Sequence, residues 1–263
     1  MTVPYPHLNT HDEVIMDQFT KQAIPFAAIP GHSAEEATRL LVETARLQKE
    51  DTLLDVACGP GLLVCSLAPY VRHATGVDLV PAMLELARKT AGEKGLTNVS
   101  WDAANVSALP YAPESFAVVV SRYTFHHFEN PKAVLQEMVR VAAPKGRVAV
   151  IDVFARTPEQ AAAYDTLEKL RDPSHVHTLT LQELQSTAEA AGLRNLSLRF
   201  YKVEIALETQ LKASFPKDPG DLEKIRRAAI ADVGKDELGW GLHRKGAELF
   251  TALPIAVITG EKD

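Results

Sequence analysis

Two cysteines in 263 residues, Cys58 and Cys65, are too few to staple a secreted scaffold. They do not form a CxxC pair, so reduced thiols in a cytoplasmic protein are the expectation. Basic charge is also short. Lys and Arg number 28 against 34 Asp and Glu, and the net charge of −6 disfavours a phosphate backbone, so no nucleic-acid partner is expected. No apolar stretch is long enough to span a bilayer, so no membrane partner is expected. The opening MTVPYPHLNTHDEV lacks the basic start and apolar centre of a signal peptide. Repeats and low-complexity tracts are missing too. A composition that is 46% hydrophobic and 24% charged suits a globular enzyme, one large α/β domain or two small ones.

Helical and strand-like segments alternate along most of the chain, which implies a doubly wound sheet. Residues 11–28 read as a helix with apolar Val14, Ile15, Phe19 and Ala23. Ser33 and Glu36 make a capping-box start for a second helix reaching Gln48. Strands are expected at 52–57, 74–78, 98–102, 116–121 and 147–154, with helices opened by Pro81 and Pro131. Pro144, Lys145 and Gly146 read as a turn. Helices follow at about 158–170 and 180–191, then a sixth strand at 196–207. Residues 207–250 look mainly helical and charged, with DLEKIRR as a solvated face. LPIAVITG, at 253–260, reads as a closing, edge-type strand. A strand returning after an insertion suggests one domain over residues 1–263 carrying a cap, with 156–180 and 207–250 as the cap segments.

The most informative stretch is LLDVACGPG, residues 53–61. A buried strand ends in an acid and feeds a glycine-rich turn that opens a helix. ATGVDL places a second acid, Asp78, at the end of the neighbouring strand. Two carboxylates then stand over one crevice, the arrangement that grips a nucleoside-containing cofactor. A dinucleotide fingerprint needs GxGxxG, but here GPGLLV puts Leu62, Leu63 and Val64 where the third glycine would fall. Pro60 also removes a phosphate-binding N–H. The turn therefore suits a cofactor without a pyrophosphate. Gly59 and Gly61 would let the backbone approach its amino-acid part, and Asp78 would accept from the ribose hydroxyls or cap the helix at Pro81.

LLDVACGPG, GVDLVPAMLELAR, NVSWDAANVSALPYAPESFAVVVSRYTFHHF and NPKAVLQEMVRVAAPKGRVAVIDV, taken in order, resemble class I S-adenosylmethionine-dependent methyltransferases of the ubiquinone/menaquinone-biosynthesis-like group. The likeness covers about residues 11–200, and LFTALPIAVITGEK resembles the family's last strand. It implies an α/β, Rossmann-like, seven-stranded sheet whose last strand is antiparallel. The implied cofactor is S-adenosyl-L-methionine, with S-adenosyl-L-homocysteine as product. By position, the resemblance implies that Asp55, Ala57, Gly59 and Gly61 contact its amino-acid end. Asp78 would hold the ribose, and Leu79 and Met83 would pack on adenine, although Met83 also has core spacing. Asn105 and Val106 stand beside the adenine amine, with Asn105 replacing an acid and its amide oxygen accepting instead. Arg122 would line the methionine part. Cys58 fills a small-residue slot.

The expected reaction is methyl transfer to a small molecule through an oxygen, nitrogen or carbon nucleophile, plausibly on an aromatic or quinone-like metabolite. His126 is the candidate base, because RYTFHHF follows the central strand and only one of the neighbours His126 and His127 should face the site. His127, His175, Phe19 and Phe26 are candidate substrate contacts. Phe19 and Phe26 would act from residues 1–32 as a lid, with helix packing as the alternative. No metal is expected from His126, His175 and His177. A homodimer is left open. Two other functions also remain open: a catalytically silent S-adenosylmethionine-binding regulator, and a dinucleotide-dependent oxidoreductase.

Overall fold

The computed structural model describes residues 8–27 and 35–263. At its centre lies β1 (Thr52–Val56), whose Leu53, Leu54 and Val56 are fully buried. Each such side chain contributes roughly 1.5–3 kcal/mol by leaving water. On one side β1 pairs in parallel with β2 (His73–Asp78), and β2 with β3 (Val99–Ala103). On the other side it pairs in parallel with β4 (Phe116–Arg122), and β4 with β5 (Ala142–Val153). The strand order reverses between β1 and its two neighbours, which opens a crevice at their carboxyl ends.

Both faces of this sheet are covered, and the residue alternation shows it. Val118 and Val120 of β4 join one core, whereas Val119 joins the other. The first core is closed by Leu40 and Leu41 of α2 (Glu35–Thr44), by Leu63 and Val64 of α3 (Leu62–Leu67), and by Leu84 of α4 (Pro81–Glu93). The second is closed by Leu135 and Met138 of α5 (Pro131–Val141). Among the described residues, no helix is long and apolar enough to cross a membrane.

The antiparallel strand is present, but not at the edge. Strand β8 (Glu248–Glu261) lies between β5 and β6 (Arg194–Ala206) and is antiparallel to both. Its run from Ile255 to Gly260 is buried, which explains why LPIAVITG is so apolar. The path thus holds seven strands, and a short eighth, β7 (His243–Lys245), pairs with β8. Residues 207–250 are therefore not uniformly helical. They hold α8 (Leu207–Lys212), α9 (Asp221–Asp232), β7 and the start of β8. The Pro144–Gly146 turn is instead an irregularity inside β5, where Lys145 takes φ 59° and the register against β4 shifts.

Helix α1 (Thr10–Ala27) begins with a reciprocal cap. Asn9 Oδ1 accepts from the Asp12 N–H at 2.8 Å, and Asp12 Oδ2 accepts from the Asn9 N–H at 3.0 Å. Ile15, Met16, Phe19 and Ala23 then pack on Val80 and Met83 at the start of α4. Between β5 and β6 come α6 (Pro158–Arg171) and α7 (Leu181–Ala190), and α6 packs on α9. Ser33, the expected cap of α2, and the side chain of Phe26 lie outside the described residues.

Candidate active site

The turn after β1 takes the left-handed conformation at Ala57 (φ 57°), Gly59 (φ 53°) and Gly61 (φ 72°). The two glycines do different work. A Cβ on Gly59 would meet nothing within 4 Å, so its surface is open to a ligand. A Cβ on Gly61 would lie 2.7 Å from Trp101 Cζ3 and 2.8 Å from Ala87 Cβ. Gly61 is the close approach of the turn to β3 and α4, and it does not line the cavity above. Asp78 stabilises the turn from β2. Its Oδ2 accepts from the Gly59 N–H at 2.7 Å and its Oδ1 from the Val80 N–H at 2.8 Å. It therefore ties two strand ends together, and burial pushes its carboxyl up to about 6 despite those bonds.

Above this turn is a cavity of about 260 Å³. Asp55, Ala57, Gly59, Asp78, Leu79, Met83, Asn105, Val106 and Arg122 all line it, with Asp12, Ile15 and Phe19 of α1. Asp55 is its chemical singularity. The side chain is buried, and Oδ1 has no hydrogen-bond partner among the described residues. Burial raises its carboxyl to about 8, against the attraction of Arg122. A carboxylate in this state fits a ligand bearing an ammonium group. The Asn105 amide oxygen, expected to face the adenine amine, is instead used by its own turn. It accepts from the Ser107 N–H at 3.0 Å and from Ser107 Oγ at 2.8 Å. Such short-range bonds form readily. Asn105 Nδ2 donates to Asp12 Oδ2 at 3.0 Å, so the carboxylate at this wall comes from α1.

The chain leaving β4 turns sharply at Tyr123 (φ 59°) and makes one 3₁₀ turn, Phe125–His127. That turn separates the two histidines, and both face cavities. His127 lines the larger cavity, and its Nδ1 lies 3.0 Å from the Ser174 carbonyl. Burial, reinforced by the neighbouring His126, lowers its pKa, which keeps it neutral. It then donates to Ser174 through Nδ1–H. His126 lines a second, smaller cavity of about 70 Å³. Its Nδ1 lies 2.7 Å from Asp152 Oδ1, and its backbone N–H donates to Asp152 Oδ2 at 3.1 Å. Burial alone would lower the pKa of His126, but the Asp152 carboxylate, with Glu168 and Asp172 adding to it, raises it.

The smaller cavity is closed by Tyr164, Glu168 and Arg171 of α6, by Asp172, by Gln210 and Ala213 near α8, and by Val203, Leu253 and Ile255 of the sheet. Phe19, Tyr123 and His127 line both cavities. The Phe19 ring meets the His127 ring edge-on at 5.0 Å. His175, a candidate substrate contact, is not in either wall. It is buried behind His126, with rings 5.5 Å apart, and its Nε2 lies 2.7 Å from Asp165 Oδ1. Asp165 also takes His177 Nδ1 at 2.7 Å, so these residues anchor the 172–178 segment to α6.

Residues 54–150 match the methyltransferase domain family. The chain is 29% identical over 248 residues to the uncharacterized methyltransferase YcgJ of Bacillus subtilis, which spans 93% of this chain and 97% of that protein. The solved structure of YcgJ superposes with a TM-score of 0.77, covering 87% of this chain and 98% of that one at 28% identity. This protein is an S-adenosylmethionine-dependent methyltransferase. Two more distant structures share its fold. One is the [4+2]-cyclase SpnF, 19% identical, with a TM-score of 0.65 and 99% of both chains covered. The other is phosphoethanolamine N-methyltransferase 2 of Haemonchus contortus, bound to S-adenosylhomocysteine and phosphomonomethylethanolamine. It is 14% identical, with a TM-score of 0.64, covering 98% of this chain and 61% of that one.

Several residues of the methyltransferase cavities carried little or no signal in the sequence. Asp152 lies inside an apolar strand, where a single buried acid is the one available hint. Asp12 had a hint as well: NTHD is a cap sequence, but its reach to Asn105 depends on how α1 folds over α4. Tyr123, Glu168, Asp172 and Gln210 come together only through the packing of α6 and α8 at the edge of the sheet.

Proposed function

We propose that this methyltransferase modifies a small-molecule acceptor held in the smaller cavity, and that His126 removes a proton from the attacking group. One observation carries the reading. The two cavities adjoin through Phe19, Tyr123 and His127, and the smaller one contains an imidazole oriented by a buried carboxylate. When bound, S-adenosylmethionine supplies a methyl group on a sulfonium, open to in-line displacement. The protein's own residues do the rest.

In the larger cavity Asp55 pairs with the cofactor's ammonium, and Gly59 and Ala57 lie along its amino-acid part. Asp78 keeps lone pairs for the ribose while holding the turn with two backbone bonds. Leu79, Met83 and Val106 give the adenine apolar walls. Asp12 takes the acceptor role at the adenine amine that Asn105 spends on Ser107. Arg122 neutralises charge near Asp55. Helix α1 is then the lid, carrying Asp12 to one end of the cofactor and Phe19 to the junction of the cavities.

In the smaller cavity Asp152 fixes the His126 tautomer, so that Nε2 is the proton acceptor. A neutral His127 beside it adds no competing charge. Residues 156–180 and 207–250 form the rest of this chamber as a substrate cap. Holding the acceptor in line and dry contributes several kcal/mol of the rate, and the base on the order of 10²–10⁴-fold more. A metabolite-library screen that monitors S-adenosylhomocysteine tests this. Native enzyme should release it with a small-molecule acceptor, and H126Q should bind cofactor equally and release little. Full turnover by H126Q would remove the base.

A further inference from the structure

The smaller cavity contains a mismatch between donors and acceptors. Three carboxylates line it, Asp152, Glu168 and Asp172, facing one guanidinium, Arg171. Two of the three have partners on both oxygens. Asp152 accepts from the His126 N–H, His126 Nδ1 and the Val153 N–H. Asp172 accepts from Gln22 Nε2, the Ser174 N–H and Ser174 Oγ. Glu168 differs. Its Oε1 takes both Arg171 bonds, one of them 3.0 Å from Nε, while the buried Oε2 has no partner among the described residues. In the same lining, the buried Gln210 Oε1 of α8 is also without a partner among them. The relative exposures of Glu168 and Gln210 are 4% and 5%, so bulk water does not satisfy either.

Two orphaned acceptors on two elements lining one chamber call for a ligand that donates to both. A neutral donor such as water would fill the hydrogen bonds but leave the excess negative charge of the lining. Carboxylate, phosphate or carbonyl ends would present acceptors to acceptors. An ammonium group supplies several N–H donors and the missing positive charge. The rings suit it as well. On α6, Tyr164 stands four residues before Glu168, one helical turn away, and Phe19 and Tyr123 are in the same lining.

We infer that the methyl acceptor carries an ammonium group, seated between Glu168 and Gln210, while its reactive end faces His126. This inference rests on the reading that the acceptor occupies the smaller cavity. It selects amine-bearing acceptors over acidic or quinone-like ones.

The test is calorimetric binding to native enzyme saturated with S-adenosylhomocysteine, so that no turnover is needed. Two matched series serve as probes: tyramine, tyrosol and 4-hydroxyphenylacetate; and propylammonium, propanol and propionate. In at least one series the ammonium member should bind about tenfold or more tighter than its counterparts. E168Q should reduce that preference to about threefold or less. Q210L, which leaves the Glu168–Arg171 pair intact, should weaken ammonium binding about threefold or more, and it decides the matter if E168Q does not fold. The inference is overturned if no ammonium member binds, if a neutral or carboxylate member binds as tightly, or if the folded variants keep the full preference. The base assignment is read separately, from turnover and its pH dependence in His126 variants.

Discussion

Asp152 holds His126 at two points, through Oδ1 on the ring nitrogen Nδ1 at 2.7 Å and through Oδ2 on the backbone N–H at 3.1 Å. The position of the imidazole is thus set, and its proton favoured, by one side chain from the next strand of the sheet.

The pH profile follows from that pairing. The pKa of His126 is raised, so the imidazole is protonated at low pH and becomes a base only above its ordinary value near 6.5. Activity per unit of bound acceptor should therefore climb with pH through a midpoint above ~6.5 and then level off. D152N removes the main charge opposing burial and leaves only Glu168 and Asp172 to do so, so the midpoint should move to lower pH while the maximal rate falls. Measuring kcat/KM against pH for both proteins checks this. A midpoint that stays in place in D152N would show that another group controls the limb.

Cofactor binding should release a proton. At pH 7 the Asp55 carboxyl, near 8, is mostly protonated, whereas Asp78, near 6, is mostly ionised. An ammonium group arriving beside Asp55 favours its anion and draws its pKa below 7, so a proton leaves. Titrating S-adenosylhomocysteine at pH 7 in phosphate and in Tris should give heats that differ by the buffer ionisation enthalpy times a release approaching one proton. D55N should abolish the difference. Equal heats for the native protein would separate Asp55 from the ammonium.

The two glycines of the turn should fail in different ways. G61A drives a methyl into Trp101 and Ala87, and overpacking of this kind costs about 1–3 kcal/mol, besides the strain of a positive φ. G59A meets no atom, so its fold should lose only about 1–2 kcal/mol of backbone strain while its methyl occupies the surface offered to the cofactor. Denaturant melts and cofactor titrations on both proteins check this. The expected pattern is a stability loss larger for G61A and an affinity loss larger for G59A.

D78A should weaken cofactor binding about tenfold or more, near 1.4 kcal/mol. It should also destabilise the fold, because the buried Val80 N–H loses an acceptor at about 1–3 kcal/mol and the half-buried Gly59 N–H loses one at less. Calorimetry alongside a thermal melt distinguishes the two. Unchanged affinity in a folded D78A would exclude Asp78 from the ribose.

What the sequence made legible was local or periodic. β1, its glycine turn, α3 and the β2 end at Asp78 form a contiguous strand–turn–helix–strand unit, and their residues alone announce it. The lining of the larger cavity from Asp55 to Arg122 follows from those blocks. The smaller cavity could not be read the same way. Glu168 and Gln210 are 42 positions apart and meet only because α6 and α8 both pack against the β5–β8–β6 edge. Periodicity reports which face of an element is buried, not what it is buried against. The histidine pair shows the same limit: two neighbours in a helix or strand point apart, but a single 3₁₀ turn sends both into cavities. LPIAVITG was legible as a strand but not as an interior one, because its partner β6 is long, partly exposed and separated from it by the α8–β7 insertion.

The place of β8 also imposes an order of assembly. Among the described residues β6 bonds to no strand but β8, yet it precedes β8 in the chain by more than forty residues. As a nascent chain emerges, the five parallel strands can condense first, leaving β5 with a bare edge. Until the later segment slides between them, β5 and β6 each expose a ladder of unpaired amides that another polypeptide could cap. For this enzyme the hazard of aggregation is thus concentrated in the interval between making β6 and making β8, and the wall beneath the smaller cavity is the last part to exist.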